Sequence, residues 1–169
     1  RMAQEAGAAL WHMWMYHGVY GFRHPDPEYP YGLRPKRLPD WMPGKPARAD
    51  VKMPWIIVDQ TGKRYMNEYP PYMQDTSARP MGFYDTQTQS YPRIPSYVIL
   101  DETARWNWPL CSPTFNDRNY SFEYNEGSLR SLEERIITQV ASIDEIALNL
   151  GIETDILNET IERWNKMCD

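Results

Sequence analysis

The hydrophobic pattern of the chain is a set of short apolar runs separated by long segments without a regular period. Residues 55–58 and 97–100 are continuous four-residue apolar runs, which are typical of buried strands. Residues 60–63 carry a glycine and predict a turn, so we expect residues 55–67 to form a hairpin. Residues 101–105 predict a short helical turn after the second apolar run.

The last forty residues carry helix start and stop signals. Two Ser-x-x-Glu patterns, beginning at Ser131 and Ser142, match the capping box, in which a hydroxyl and a carboxylate each accept from an exposed backbone N–H. The first predicts a helix over 131–140, and the second predicts one over 143–150 that Gly151 ends in a left-handed conformation.

Thr154 is expected to cap a last helix, whose apolar positions recur at helical spacing. The residues that would share one face of this helix are Ile156, Leu157, Ile161, Trp164 and Cys168.

Helical composition also occupies residues 2–15, although Gly7 lies within them. Residues 18–54 and 69–95 are rich in proline, which is excluded from helix interiors and central strands, so they predict long loops. The predicted fold class is therefore α+β, with a small antiparallel sheet, a C-terminal helical cluster and long Pro-rich loops.

Length and charge narrow the class of protein. With 169 residues the chain is long enough for one domain, and its net charge of −5 argues against nucleic-acid binding. No apolar run approaches the roughly 20 residues that a membrane-spanning helix needs. Cys111 and Cys168 are expected to be buried thiols, and a disulfide between them stays open.

Metal binding is not expected, because the three histidines show no metal-ligand spacing with each other or with cysteine. These histidines are His12, His17 and His24.

The segment that follows the predicted hairpin is the candidate for chemistry. Glu68 and Tyr69 precede two prolines, and Tyr72 lies directly after them. A tyrosine on a proline-stiffened loop next to a strand is held in place and could give or take a proton, although turn tyrosines are common. The aromatic residues of 11–31 could line an apolar ligand pocket or simply pack in a core.

Several segments resemble one family of flavin-dependent oxidoreductases, in order along the chain. The segments that carry the resemblance are Met2-Ala3 with Gly7-Ala8, residues 55–68 with the sequence WIIVDQTGKRYMNE, residues 97–101, residues 142–147 with 150–152, and residues 160–165. They are similar to the cap, or substrate, domain of fumarate reductase and succinate dehydrogenase flavoproteins and of 3-ketosteroid dehydrogenases. Residues 18–53 and 106–130 match nothing in that family.

The resemblance implies that residues 1–169 are a single cap domain, a fragment of a larger protein that holds FAD mainly in another domain. That FAD-binding domain and a small-molecule substrate are the implied partners, and an exposed apolar surface would also allow a homodimer. The isolated chain is then expected to bind no FAD and to be inactive. The chain ends agree with a fragment, because residue 1 is Arg and both ends lie in helical patterns.

The resemblance also implies roles for single residues. Ketosteroid dehydrogenases have a similar Asn-Glu-x-x-Pro-Tyr pattern whose tyrosine removes a proton next to a carbonyl, and the matching residue here is Tyr72. The substrate-binding residues would be Glu68, Tyr69, Trp14 and Tyr16. Fumarate reductases carry a proton-delivering Arg where this chain has Tyr72, and a His-Pro-Thr where it has His17-Gly18-Val19, which argues against simple fumarate reduction.

Two functions remain open from the sequence. The first is the cap domain of a flavin-dependent oxidoreductase that acts on a C–C bond beside a carbonyl or carboxylate. The alternative is an aromatic-rich module that binds a ligand or a protein and performs no chemistry.

Overall fold

A computed structural model describes residues 2–7, 21–29, 34–35, 55–68, 78–107, 111–112 and 135–168. Nine elements follow one another along these residues. They are α1 (Met2–Glu5), β1 (Arg34–Pro35), β2 (Trp55–Val58), α2 (Ala78–Met81), β3 (Tyr97–Leu100), α3 (Glu102–Asn107), β4 (Cys111–Ser112), α4 (Ile143–Leu150) and α5 (Thr154–Cys168). The fold class is α+β, as predicted, with a small antiparallel sheet and C-terminal helices.

The central sheet pairs β2 with β3 in antiparallel register, so that Trp55 lies opposite Leu100 and Val58 opposite Tyr97. All four residues of β2 are buried. Successive side chains of a strand point to opposite faces, so a strand that is buried throughout must be covered on both faces. The unbroken apolar run of β2 follows from this requirement.

Each face of the sheet carries its own apolar cluster. On one face, Trp55 and Ile57 pack with Ile137 and with Phe22, which come from segments far apart in the sequence. On the other face, the side chains of Tyr97 and Ile99 pack against a cluster formed by residues of α4, α5 and their connection. The buried members of that cluster are Ala147, Ile152 and Leu157.

The C-terminal helices begin and end close to where the sequence predicts. The Ser142 hydroxyl accepts from the Glu145 N–H at 3.2 Å, and the Glu145 carboxylate accepts from the Ala141 N–H at 2.8 Å, one residue earlier than in the usual reciprocal pair. Gly151 closes α4 at a φ of 67°. Thr154, which the sequence predicts to be the capping residue before the last helix, is the first residue of α5.

Three predicted elements are wrong within the described residues. Residues 64–67 form no return strand, because only Arg64 bridges to Val58. Residues 135–140 are not helical, since Arg135 adopts a φ of 60° and Ile137 packs on the sheet. The first helix ends at Glu5, because Gly7 turns the chain at a φ of 90°.

Two further differences from the predictions are local. Residues 34–35, expected in a loop, pair with residues 111–112 as two-residue antiparallel strands. Cys168 is an exposed free thiol, so the prediction of a buried thiol is wrong at that position.

The turn after β2 packs directly on the junction between α4 and α5. Gly62 has a φ of 84°, and a Cβ added there would lie 2.6 Å from Ile152 Cγ2 and 3.7 Å from Leu157 Cα. Only glycine combines this backbone conformation with so close an approach. The turn is therefore held in a fixed position against the C-terminal helices.

We expect Gly62→Ala to lower the free energy of unfolding by about 2–4 kcal/mol, because the substitution adds an overpacked contact to a left-handed backbone. Gly151→Ala is the matched control, since Gly151 is also left-handed but a Cβ there meets nothing within 4 Å. The control should cost only about 1–2 kcal/mol. Urea unfolding of both variants measures the difference, and equal losses would contradict the close approach of Gly62 to Ile152.

Candidate functional site

The described part of the candidate segment ends at Glu68, whose side chain is fully buried. The single Nε–H of Arg64 is shared between the two carboxylate oxygens, each 2.9 Å from Nε, and Oε2 also accepts from Arg64 Nη2 at 2.5 Å. Oε1 also accepts from the backbone N–H of Ile57 at 2.9 Å. A buried charge requires a counter-charge and hydrogen bonds, and both are present here. We call this group, Arg64, Glu68 and the Ile57 N–H, the Glu68 clamp.

The Glu68 clamp replaces the return strand that the sequence predicts. The Asp59 N–H still bonds to the Lys63 carbonyl at 3.0 Å, as in a hairpin. The next N–H on that edge of β2, from Ile57, bonds to the Glu68 carboxylate and not to a backbone carbonyl. Because the carboxylate satisfies this donor, the chain can leave the sheet after a single bridge.

Arg64 also connects the clamp to the last helix. Its guanidinium carbon lies 4.6 Å from the ring centroid of Trp164 in α5, within the range of a cation–π contact. The Arg64 side chain is 23% exposed, whereas the Glu68 side chain is fully buried. Arg64 therefore screens the carboxylate from solvent on that side. The clamp therefore joins β2, the turn and α5.

A second polar group lies beside the clamp, around Tyr65. The Ser96 hydroxyl donates to the Arg93 carbonyl at 2.5 Å, which uses its single hydrogen, so the Tyr65 hydroxyl donates to Ser96 Oγ at 2.7 Å. The Arg93 guanidinium carbon lies 4.7 Å from the Tyr65 ring centroid and 4.7 Å from that of Phe83. Burial raises the pKa of the Tyr65 phenol, and the nearby Arg93 charge opposes this shift.

Gln60 holds the segment that carries Arg93 and Ser96 against the turn. Gln60 Nε2 donates to the carbonyl oxygens of Tyr91 at 3.2 Å and Ile94 at 2.7 Å, and the Gln60 N–H donates to the Pro92 carbonyl at 3.1 Å. Residues 91–96 are thereby held against residues 59–65. Sequence analysis missed this group, since no local spacing signals partners some thirty positions apart.

The structure describes one of the predicted site residues, Glu68. The contacts observed for Glu68 are with other residues of this chain, so its contact with substrate stays a prediction. Tyr72, Tyr69, Trp14 and Tyr16 lie outside the described residues.

Among the residues that are described, no group of His, Cys, Asp and Glu could hold a metal ion. No helix of the described residues is long and apolar enough to cross a membrane.

Comparison with curated proteins finds distant partial relatives. The chain is 29% identical over 110 residues to a 3-oxosteroid 1-dehydrogenase of Mycolicibacterium smegmatis. It is 27% identical over 110 residues to the protein of that name in Mycobacterium tuberculosis H37Rv. The match covers 65% of this chain and 18% of each relative, so the chain spans less than a fifth of their length. No family model matches the chain, and no solved structure matches it.

We expect Tyr65→Phe to flatten the loss of stability at high pH. A phenol with a raised pKa in the folded protein contributes stability that is full below its unfolded pKa, about 10, and is lost as the pH rises through the folded pKa. At neutral pH the free energy of unfolding of the variant should also be about 1 kcal/mol lower, because the substitution removes the hydrogen bond to Ser96. Urea unfolding at neutral pH and above pH 10 tests both effects, and parallel pH dependences of parent and variant would refute the assignment.

Proposed function

We propose that this chain is the cap domain of an FAD-dependent enzyme that dehydrogenates or reduces a C–C bond next to the carbonyl of a 3-oxosteroid. The observation that carries the proposal is the match over 110 residues to 3-oxosteroid 1-dehydrogenases. The Asn67-Glu68-Tyr69-Pro70-Pro71-Tyr72 sequence also supports it, because it resembles the segment that carries the tyrosine base of ketosteroid dehydrogenases. A fumarate-reductase-like reaction is less well supported, since no relative of that name is among these matches.

In this proposal the described residues are not the site that binds FAD. The left-handed glycines among them, Gly7, Gly62 and Gly151, occur singly in separate turns, whereas a dinucleotide fold uses closely spaced glycines at the start of a helix. We therefore assign FAD to another part of a longer polypeptide, consistent with the short span of this chain relative to its relatives. The flavin, when bound there, supplies the hydride chemistry.

The role that we assign to this chain is proton transfer. A carbon beside a carbonyl must lose a proton for the C–C bond to become a double bond, and we assign that proton to the Tyr72 hydroxyl oxygen. A free tyrosine has a pKa near 10, so the role requires surroundings that stabilise the phenolate. Tyr69, Trp14 and Tyr16 are the proposed walls of the substrate pocket.

We expect Tyr72→Phe, made in the complete FAD-containing protein, to lower 3-oxosteroid turnover by roughly 10²-fold or more, because a positioned acid or base contributes that much. Flavin absorbance should stay at the parental level. Tyr97→Phe is the matched control, since Tyr97 packs on the helical face of the sheet, and its turnover should not change. Parental turnover of Tyr72→Phe would remove Tyr72 from this role, and a complete protein without flavin would overturn the enzyme proposal.

A second candidate function is a binding module without chemistry, favoured by an exposed aromatic surface. Phe83, Tyr84, Tyr91 and Ile94 are each about half exposed, and the Tyr84 and Tyr91 rings lie 5.1 Å apart, edge to face. Exposed apolar groups in such proximity often mark a binding surface.

For this second function, we expect a planar apolar ligand such as a 3-oxosteroid to quench the intrinsic fluorescence of the chain, because aromatic side chains would stack on it. Tyr84→Ala together with Tyr91→Ala should abolish the quenching, whereas the exposed Leu148→Ala on α4 should not. Quenching that survives the double substitution would exclude this surface as the binding site.

A further inference from the structure

We propose that the Glu68 clamp positions Tyr72 for proton transfer. The clamp fixes Glu68, four positions before Tyr72 in the chain, and thereby restricts where the Tyr72 hydroxyl can lie relative to the substrate. The inference rests on the proposed function, because it assumes that Tyr72 moves the proton. Arg64 and Glu68 are positioning residues in this proposal and touch neither substrate nor flavin.

The clamp fixes Glu68 from the sheet and from the turn. The Ile57 N–H holds the carboxylate from the sheet, and Arg64 holds it from the turn through Nη2 and the shared Nε–H. Arg64 in turn lies over the Trp164 ring of α5. The turn is held in place, because Gly62 is in close contact with Ile152. The position of Glu68 is therefore determined by the core.

The sequence limits the distance between Glu68 and Tyr72. Four residues span at most about 14 Å when fully extended. Two of the intervening residues are prolines, Pro70 and Pro71, and a proline ring restricts φ to values near −65°. Because of these covalent limits, the position of Glu68 restricts where Tyr72 can lie.

Stability alone is a weak reason for a charge pair in this place. Burying two charges costs desolvation free energy, and apolar replacements of buried ion pairs are often neutral or stabilising. The forked geometry of Arg64 against a carboxylate specifies orientation as well as contact. Proton transfer depends on such orientation, since a misplacement of about 1 Å can reduce the rate by roughly 10²-fold.

The test is Glu68→Gln in the complete FAD-containing protein, assayed with a 3-oxosteroid. The glutamine oxygen can still accept from the Ile57 N–H, but its amide nitrogen meets the guanidinium donors of Arg64 and must turn away. We expect kcat to fall by roughly 10-fold to 10²-fold, with KM and flavin content unchanged. Arg64→Lys retains the charge but loses the fork, so it should lower kcat in the same direction by a smaller factor, and it serves as the test if Glu68→Gln fails to fold.

Ser142→Ala is the control for stability. It removes the cap of α4, away from the clamp, and lowers stability by about 1 kcal/mol. Its kcat should match that of the parent at a temperature at which all variants are folded. A fall in kcat for Ser142→Ala equal to that for Glu68→Gln would overturn the positioning role, as would a rise in KM without a change in kcat.

The outcomes separate this inference from the proposed function. If Tyr72→Phe abolishes turnover while Glu68→Gln and Arg64→Lys retain parental kcat, the proposed function stands and the positioning role is wrong. If Tyr72→Phe retains turnover, Tyr72 does not move the proton, and the positioning role fails with it, whereas the enzyme proposal fails only if the complete protein holds no flavin.

Discussion

A buried carboxylate on the edge of a short strand is the interaction on which the described structure depends. Among the described residues, strand β2 pairs with one strand, β3, and its other edge would present backbone donors that need acceptors. Glu68 supplies one of these acceptors from its side chain. One side chain thereby takes the place of a return strand, and residues 65–68 form no ladder with β2.

The same carboxylate explains why the turn and the last helix are coupled. Its charge requires Arg64, and Arg64 in turn lies over Trp164. The turn packs on Ile152 through Gly62, at the opposite end of the same segment. The sheet edge and the C-terminal helices therefore support each other through two separate contacts, one polar and one apolar. A change in either contact would alter the position of Glu68.

The exposed side of the described structure is organised by polar contacts to backbone carbonyls. Gln60 holds residues 91–94, and Arg93 donates to the Pro80 carbonyl at 2.7 Å while lying over Phe83 and Tyr65. Loops satisfied in this way can present aromatic side chains at the surface without a sheet beneath them. Exposed aromatic side chains grouped in this way form a candidate binding surface.

Local signals in the sequence were sufficient for the elements that depend on neighbours in the chain. The strands 55–58 and 97–100, the capped helix 143–150, the glycine turn at 60–63 and the left-handed Gly151 are predicted correctly, because a strand's apolar run, a cap and a glycine turn each act within a few residues. The sequence also singled out Glu68, although as a residue that binds substrate. Its resemblance to one family agrees with the distant relatives that the comparison found.

Tertiary structure decided what those residues contact. No pattern in the sequence shows that Glu68 bonds to Ile57, that Arg64 lies over a tryptophan one hundred positions later, or that Gln60 holds residues 91–94. It also overruled the helical signal at residues 135–140, because packing Ile137 against Trp55 and Ile57 outweighs the weak helix propensity of β-branched residues. Buried charges and apolar contacts gain their free energy from partners brought together by the fold, and those partners are distant in sequence.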